Sequence, residues 1–295
     1  LSTQASATNY ETIKFWYDLG IRRIVVAREL SLEEIKEIKE SLPEDLEIEA
    51  FVHGAMCISY SGRCLLSNYM VGRDANRGEC AHPCRWKYSL MEEKRPGEYF
   101  PIYENEKGTF IFNSKDLCMI ENIPELIEAG VCSFKIEGRV KSQYYVATVI
   151  RSYRKAIDEY FRLKEDYVYK EEWLEEIKKA SYRDFTTGFY FKKPTGEDQV
   201  YGSSSYIREY DFVGLVLDYD EKTEIATIEQ RNRMFVGDEI EVFGPNKEFF
   251  VQKIEDMWNE NGEEIDVAPH PQQIIKMKMK KPVENWDIIR RARKD

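Results

Sequence analysis

The chain has 295 residues, of which 42% are hydrophobic and 33% charged, with a formal net charge of −11. This composition is typical of a soluble globular protein with a real core, and the acidic balance argues against binding nucleic acid through overall charge. No apolar run approaches the roughly 20 residues that cross a bilayer, and the start shows no signal-peptide pattern. We therefore expect a cytoplasmic protein without a membrane partner.

The amino-terminal part predicts a strand–helix–strand unit. Apolar residues mark a short helix over residues 10–19 and a buried strand over 22–27. Ser31 and Glu34 form a capping box before an amphipathic helix, and residues 46–52 predict the next strand. This spacing is typical of a βαβ unit with a parallel sheet.

Residues 49–88 contain four of the six cysteines, in the spacing C-x6-C-x15-C-x3-C: Cys57, Cys64, Cys80 and Cys84. A cytosolic compartment keeps thiols reduced, so metal or redox chemistry comes before disulfides. Structural zinc sites favour closely spaced pairs, which a gap of six residues fits poorly. Iron–sulfur clusters tolerate wider and uneven spacing. We therefore prefer an iron–sulfur cluster held by the four cysteines and keep zinc, or no metal, as alternatives.

The same segment is locally basic. Between Ile58 and Leu90 there are five basic and two acidic residues, a net charge of +3 inside an acidic protein. A second basic run lies near the carboxyl terminus, over residues 276–294. These runs are either two solvated surfaces or sites for an anionic ligand, small or polymeric.

Beyond the cysteines, residues 114–130 predict two short helices interrupted by Pro124. Residues 131–139 predict a further buried strand, and residues 142–163 a long amphipathic helix. Polar residues collect at the carboxyl ends of the predicted strands, as in (β/α) barrels: Gln4, Arg28, Glu29, His53, Lys135 and Glu137. Only about half a barrel is present and the chain opens on Leu1, so we expect further residues upstream.

Three strand-end residues have both a structural and a functional interpretation. His53 precedes a glycine, so its imidazole is expected at the barrel mouth, with a structural histidine as the alternative. Lys135 and Glu137 alternate on one strand and therefore share a face, where an ion pair inside the barrel is the alternative. In the functional interpretation Lys135 or Arg139 holds a carboxylate ligand while Glu137 carries protons.

The carboxyl-terminal part has a different texture. Segments that alternate apolar and polar residues follow one another at short intervals, which predicts a small antiparallel β-barrel. The polar stretch 183–206, with its glycines and Pro194, predicts a linker. We therefore expect an α/β domain over residues 1–182, the linker, and a β domain over residues 207–295.

Ordered motifs along the chain resemble the signature of peptidase family U32, the collagenase-like peptidases. They include EAFVHGAMC at 49–57, GRCLLS at 62–67, SFKIEGR at 133–139 and QRNRMFVGDEIEV at 230–242. The resemblance implies a TIM-type (β/α) barrel, of which this chain holds part, followed by a small β-barrel similar to domain two of translation elongation factors.

The family name implies a hydrolase, but the sequence contains no Ser-His-Asp arrangement and no H-E-x-x-H helix that would explain proteolysis. The four cysteines resemble those of a family branch that hydroxylates the wobble uridine of tRNA to 5-hydroxyuridine. That resemblance implies a 4Fe–4S cluster, tRNA as substrate, and the dicarboxylate prephenate as oxygen-donor partner.

We therefore expect a tRNA-modifying hydroxylase in which His53, Lys135 and Glu137 act in catalysis. The residues expected to bind substrate are Gln4, Arg28, Glu29 and Arg139, while Cys57, Cys64, Cys80 and Cys84 hold the cluster. A collagenase-like peptidase and a non-catalytic RNA-binding module are the alternative functions.

Overall fold

The computed structural model describes residues 1–57, 59–86, 89–90, 94, 96–97, 100–101, 114–194, 198 and 206–293. The chain divides into two compact units. The first comprises residues 1–141, 152–174 and 182–206, and the second comprises residues 142–151, 175–181 and 207–295. No helix among the described residues is long and apolar enough to span a membrane.

The helices follow the predicted periodicity where the apolar stripe is long. Their bounds are α1 Tyr10–Asp18, α2 Leu32–Glu40, α3 Leu66–Val71, α4 Ile123–Glu128, α5 Gln143–Leu163 and α6 Glu171–Lys178. The capping box of α2 is confirmed, because the Ser31 side chain accepts from the Glu34 N–H and the Glu34 carboxylate accepts from the Ser31 N–H. At the end of α1, Gly20 adopts a φ of +97°, which allows the chain to leave the helix.

The first unit is a mixed α/β domain. Its strands are β1 Arg23–Val25, β2 Glu47–Ala55, β3 Ser89–Leu90, β4 Phe100–Pro101, β5 Asp116–Cys118, β6 Val131–Ile136 and β7 Phe185–Thr186. Strand β2 pairs in parallel with both β1 and β6, which confirms the predicted βαβ unit. The carboxyl ends of these three strands consequently meet at one edge of the sheet.

Two predictions about this unit are wrong. Residues 114–130 contain strand β5, which pairs antiparallel with β2, then a 3-10 helix at Ile120–Asn122 that leads directly into α4, so Pro124 lies in the first turn of α4 and does not interrupt two helices. The stretch 183–206, interpreted as a linker, contains β7, which pairs in parallel with β5. Tyr190 in the same stretch is buried and donates its hydroxyl to the carbonyl of Phe51 over 2.5 Å. Strands β5 and β7 have three and two residues, too few for the alternation of a strand to show in the sequence, so only their distant partners define them as sheet.

The second unit confirms the predicted antiparallel β domain, in the form of a half-barrel. Its strands are β8 Tyr210–Asp220, β9 Ile225–Gln230, β10 Met234–Phe235, β11 Glu239–Phe243, β12 Phe250–Lys253, β13 Met257–Asn259, β14 Val267–Ala268, β15 Ile274–Lys278 and β16 Ile288–Ala292. Seven of them form one sheet in the order β12-β11-β16-β8-β9-β15-β13. Alternate residues of β9 and β11 are buried in one apolar core, as the period of two requires.

Candidate functional site

A cavity of about 280 Å³ lies in the first unit, and all four clustered cysteines line it. The walls come from five parts of the chain: residues 2–4, Arg28 after β1, Phe51 and Ala55 on β2, the loop between β2 and α3 with its continuation to Arg85, and the end of β6 with the residues to Arg139. Because β2 and β6 are parallel neighbours, the residues that follow them are delivered to the same place. The cavity therefore lies where the sequence predicted a site, at the carboxyl ends of parallel strands.

The cysteines differ in exposure but share this cavity. Cys64 and Cys84 are buried, Cys80 is half-buried and Cys57 is exposed. A hydrogen bond with Cys64 is the main cause of the raised pKa of the Cys57 thiol. The same hydrogen bond lowers the pKa of Cys64 to about 5, with help from the backbone N–H groups of Leu66 and Ser67.

The backbone around the cysteines is fixed by side-chain hydrogen bonds. Asn76 accepts from the Cys64 N–H over 3.1 Å and donates to the Cys64 carbonyl over 2.8 Å. The N–H of His82 donates to the Cys80 sulfur over 3.3 Å. Backbone N–H groups directed at sulfur stabilise thiolates, since they favour the charged form. Across the described part of the chain, no group of three or more His, Cys, Asp or Glu side chains is arranged to hold a metal ion.

Arg85 follows the last of these cysteines and is buried. Its guanidinium lies 2.8 Å from the carboxylate of Asp116 and donates to the carbonyl of Met56 over 3.0 Å. Asp116 belongs to strand β5, which the sequence did not predict. This buried ion pair therefore connects the cysteine segment to the sheet. In the sequence, Arg85 stood out only as one of the basic residues of the loop.

Arg28 lies in the cavity wall over an aromatic ring. Its guanidinium carbon is 3.7 Å from the ring centre of Phe51, and its nearest nitrogen is 3.9 Å from the carboxylate of Glu137. Burial lowers the pKa of Arg28, because the Glu137 carboxylate compensates only part of the lost hydration. The sequence predicted Arg28 as a binding residue but not Phe51, because an apolar residue within a strand is usually part of the core.

Lys135 and Glu137 both line the cavity, but they do not pair with each other. Lys135 donates to Glu49 over 2.5 Å, whereas Glu137 accepts from the Arg139 N–H over 2.8 Å. Burial would raise the pKa of Glu49, but the hydrogen bonds from Lys135 and Ser133 outweigh it and lower that pKa. The alternative of a Lys135–Glu137 ion pair is therefore wrong.

Gln4 and Arg139 also line the cavity, in agreement with their predicted positions. The Gln4 amide donates to the carbonyl of Ala75 over 3.3 Å. Glu29 is not among the lining residues and instead accepts from the backbone N–H of Ser61 over 2.8 Å. Glu29 therefore stabilises the loop that contains Ser61 and does not itself line the cavity.

His53 lies outside the cavity, and its predicted position at the mouth is wrong. It is 1% exposed, and its ring packs against Tyr153 and Phe185. Strand β2 continues through Ala55, and its register with β6 shifts between Phe51 and His53, so the simple alternation of faces fails there. Burial lowers the pKa of His53 to about 4, which leaves the imidazole neutral.

Comparison with known proteins places the chain in a family. The family model "Peptidase family U32" matches residues 1–200, and the family model "Peptidase family U32 C-terminal domain" matches residues 208–290. The chain belongs to peptidase family U32. The two matched regions confirm that the α/β part and the β part are both characteristic of the family.

Relatives within family U32 carry two kinds of name. The chain is 48% identical over 293 residues to tRNA hydroxylation protein P1 of Bacillus subtilis (strain 168), covering 99% of this chain and 69% of that protein. It is 39% identical over 313 residues to tRNA hydroxylation protein P of Escherichia coli (strain K12), covering 91% and 67%. A protein named Collagenase, from Porphyromonas gingivalis (strain ATCC BAA-308 / W83), is 35% identical over 268 residues, covering 87% and 63%.

Proposed function

We propose that this chain is a tRNA-hydroxylating enzyme of family U32 and that Cys57, Cys64, Cys80 and Cys84 hold a 4Fe–4S cluster. The observation that carries the proposal is the convergence of these four cysteines on one cavity together with cationic side chains. The names of the Bacillus subtilis and Escherichia coli relatives support tRNA hydroxylation as the reaction.

The residues present fit such a cluster. A cube separates its four thiolate ligands more widely than a single ion does, so four cysteines around an open cavity suit it. Backbone N–H groups already donate to the sulfurs of Cys64 and Cys80, and such bonds tune clusters of this kind. When bound, the cluster supplies redox-active iron. The proposal also requires a compartment that keeps thiols reduced, the cytoplasm.

The cationic part of the cavity suits a small dicarboxylate such as prephenate. Arg28, Lys135 and Arg139 line the wall, and guanidinium groups bind carboxylates through paired, charge-assisted hydrogen bonds. We assign Arg28 and Arg139 to the carboxylates and Gln4 to a neutral oxygen of the ligand. Glu137 lies 3.9 Å from the Arg28 guanidinium and accepts from the backbone N–H of Arg139, so it is the candidate for proton transfer.

The proposal includes the architecture that the sequence implied, a TIM-type (β/α) barrel to which β1, β2 and β6 contribute consecutive strands. Two observations support it: these strands are parallel neighbours, and the cavity lies at their carboxyl ends. Peptidase activity is the alternative, supported by the family name and the Collagenase relative. The sequence offers neither a Ser-His-Asp arrangement nor an H-E-x-x-H helix for that reaction.

The test is a nucleoside analysis. Anaerobically purified protein is incubated with prephenate and tRNA that carries an unmodified wobble uridine, and the digested tRNA is examined by mass spectrometry. We expect uridine with one added oxygen, absent with Cys80→Ser and retained with the control Cys132→Ser, which alters an exposed cysteine outside the cavity. Gelatin cleavage that survives Cys80→Ser, with no modified nucleoside, would favour the peptidase. RNA binding without any product would favour a binding module.

A further inference from the structure

A tight turn, Tyr60–Arg63, borders the cysteine-lined cavity and is held in place at several points. The Arg63 N–H donates to the Tyr60 carbonyl over 3.0 Å, and the Ser61 N–H donates to Glu29 over 2.8 Å. Gly62 adopts a φ of +76°, and a Cβ at this position would lie 2.0 Å from the carbonyl oxygen of Gln4. The turn therefore presents its two outer side chains, Tyr60 and Arg63, from a fixed backbone.

Tyr60 belongs to two hollows at once. It lines the cysteine cavity, and it also lines a second, open hollow of about 590 Å³ together with Ser6, Thr8, Ser59 and Arg63. The Tyr60 side chain is 67% exposed. An aromatic ring held on a fixed turn loses little conformational entropy when a ligand packs on it, which favours binding.

The second hollow is lined by one cationic, one aromatic and three hydroxyl-bearing side chains. Within the described residues, the guanidinium of Arg63 has no hydrogen-bond or ion-pair partner. The remaining lining side chains carry hydroxyl groups, which both donate and accept hydrogen bonds. A nucleotide offers what this set can bind: a base for the ring, a phosphate for the cation and a ribose for the hydroxyls.

We propose that the second hollow is a nucleotide subsite, an inference that rests on the proposed function. When the reacting uridine of a tRNA loop enters the cysteine cavity, the neighbouring nucleotide occupies the second hollow. Its base stacks on Tyr60 and its phosphate pairs with Arg63. Tyr60 thereby separates the two bases, so the reacting uridine enters the cavity unstacked, as chemistry on a base requires. Glu29 acts as a positioning residue because it holds the turn.

The test measures RNA binding by the whole chain. A fluorescent hairpin RNA with uridine in its loop is titrated by anisotropy over a range of salt concentrations, with wild type, Tyr60→Ala, Tyr60→Phe and Arg63→Gln. We expect Tyr60→Ala to bind about tenfold more weakly and Tyr60→Phe to bind as wild type, because a phenyl ring still stacks. Arg63→Gln should lower the slope of log Kd against log salt by about 0.7. Tyr69→Ala is the matched control, since Tyr69 is 86% exposed and lines neither hollow.

The outcomes separate the subsite from the proposed function. Unchanged binding by Tyr60→Ala, or an equal loss in Tyr69→Ala, overturns the subsite, and tRNA hydroxylation by the wild type would then leave the proposed function standing. A wild-type chain that binds gelatin peptides and no hairpin RNA overturns both. Because Tyr60 is exposed, an unchanged circular dichroism spectrum is expected and excludes unfolding as the cause of any loss.

Discussion

Two regions of the molecule bury charge in opposite ways. In the second unit, Arg290 is fully buried, donates to Glu176 through two bonds of 2.8 Å and reaches Glu241 at 2.7 Å. In the cysteine cavity of the first unit, Arg28 reaches Glu137 only at 3.9 Å and otherwise lies over the ring of Phe51. The charge of Arg290 is therefore paired within the fold, whereas Arg28 lines a cavity and has only a distant carboxylate partner.

The pKa shifts of the two arginines express this difference. Burial alone would lower the pKa of Arg290, but its hydrogen bonds with Glu176 outweigh burial and raise it. Burial lowers the pKa of Arg28, since the Glu137 carboxylate compensates only part of the lost hydration. A charge that the fold satisfies serves stability, while a charge that the fold leaves partly unsatisfied marks a place for a ligand.

Removing Arg290 should have the largest effect on stability. Arg290→Met leaves the carboxylates of Glu176 and Glu241 buried without their main partner, and we expect a loss of about 3–5 kcal/mol of unfolding free energy. Chemical denaturation measures this loss, with Arg154→Met as control. Arg154 forms an exposed ion pair with Asp158 at 2.7 Å, whose removal should cost less than about 1 kcal/mol. Equal losses of unfolding free energy in the two variants would contradict a stabilising role for the buried ion pairs of Arg290.

Lowering the pH should reveal the buried histidine behind the cavity. The pKa of His53 falls from an ordinary 6.5 to about 4 in the folded chain. Between these two pH values, the imidazole is protonated in the unfolded state and neutral in the folded state. His53 therefore contributes stability above pH 6.5, and this contribution is lost progressively between pH 6.5 and about 4, up to roughly 3 kcal/mol. Denaturation of His53→Gln at several pH values should show a shallower acid slope than wild type. An unchanged slope would contradict the burial of a neutral imidazole.

Alanine substitutions at two glycines with positive φ distinguish the cost of backbone strain in a turn from the cost of a steric clash at the cavity. Gly262, with a φ of +84°, has no atom within 4 Å of the position that a Cβ would occupy, whereas at Gly62 that position lies 2.0 Å from the Gln4 carbonyl oxygen. We expect Gly262→Ala to cost about 1 kcal/mol, from left-handed strain alone. Gly62→Ala should cost roughly 1–3 kcal/mol more, because backbone must move. Calorimetry compares the two, and similar losses would mean that the Tyr60–Arg63 turn is not held against residue 4.

Removing Arg28 should have the smallest effect on stability and a clear effect on binding. Arg28→Met keeps the packing on Phe51, and Glu137 retains its bond from the Arg139 N–H, so we expect unfolding free energy within about 1 kcal/mol of wild type. Affinity for prephenate, measured by calorimetric titration, should fall about tenfold or more. A stability loss as large as that of Arg290→Met would erase the contrast between the two regions.

The predictable parts of the fold are those encoded locally. The capping box of α2 lies within four residues, and the long helix α5 displays its apolar stripe over several turns. Strands β5 and β7 have two or three residues each and exist because Asp116 pairs with Phe185 and Leu117 with Thr186, about 70 residues away. Such partners leave no period in the local sequence.

The site also contains residues that the sequence predicts and residues that it does not. Of the residues predicted at strand ends, Gln4, Arg28, Lys135 and Glu137 line one cavity with the four cysteines, whereas Glu29 does not. The prediction failed for His53, because the register shift beside it breaks the alternation of faces. The buried pair of Arg85 and Asp116 could not be predicted, since their 31-residue separation and burial emerge only from the packed structure.

The central claim is that the open set of cysteines holds a 4Fe–4S cluster, and metal analysis of anaerobically purified protein tests it most directly. We predict a brown protein with about four iron and four sulfide per chain, both lost in Cys80→Ser and both retained in Cys132→Ser. A colourless, iron-free protein, or one that binds zinc through the same cysteines, would contradict the claim.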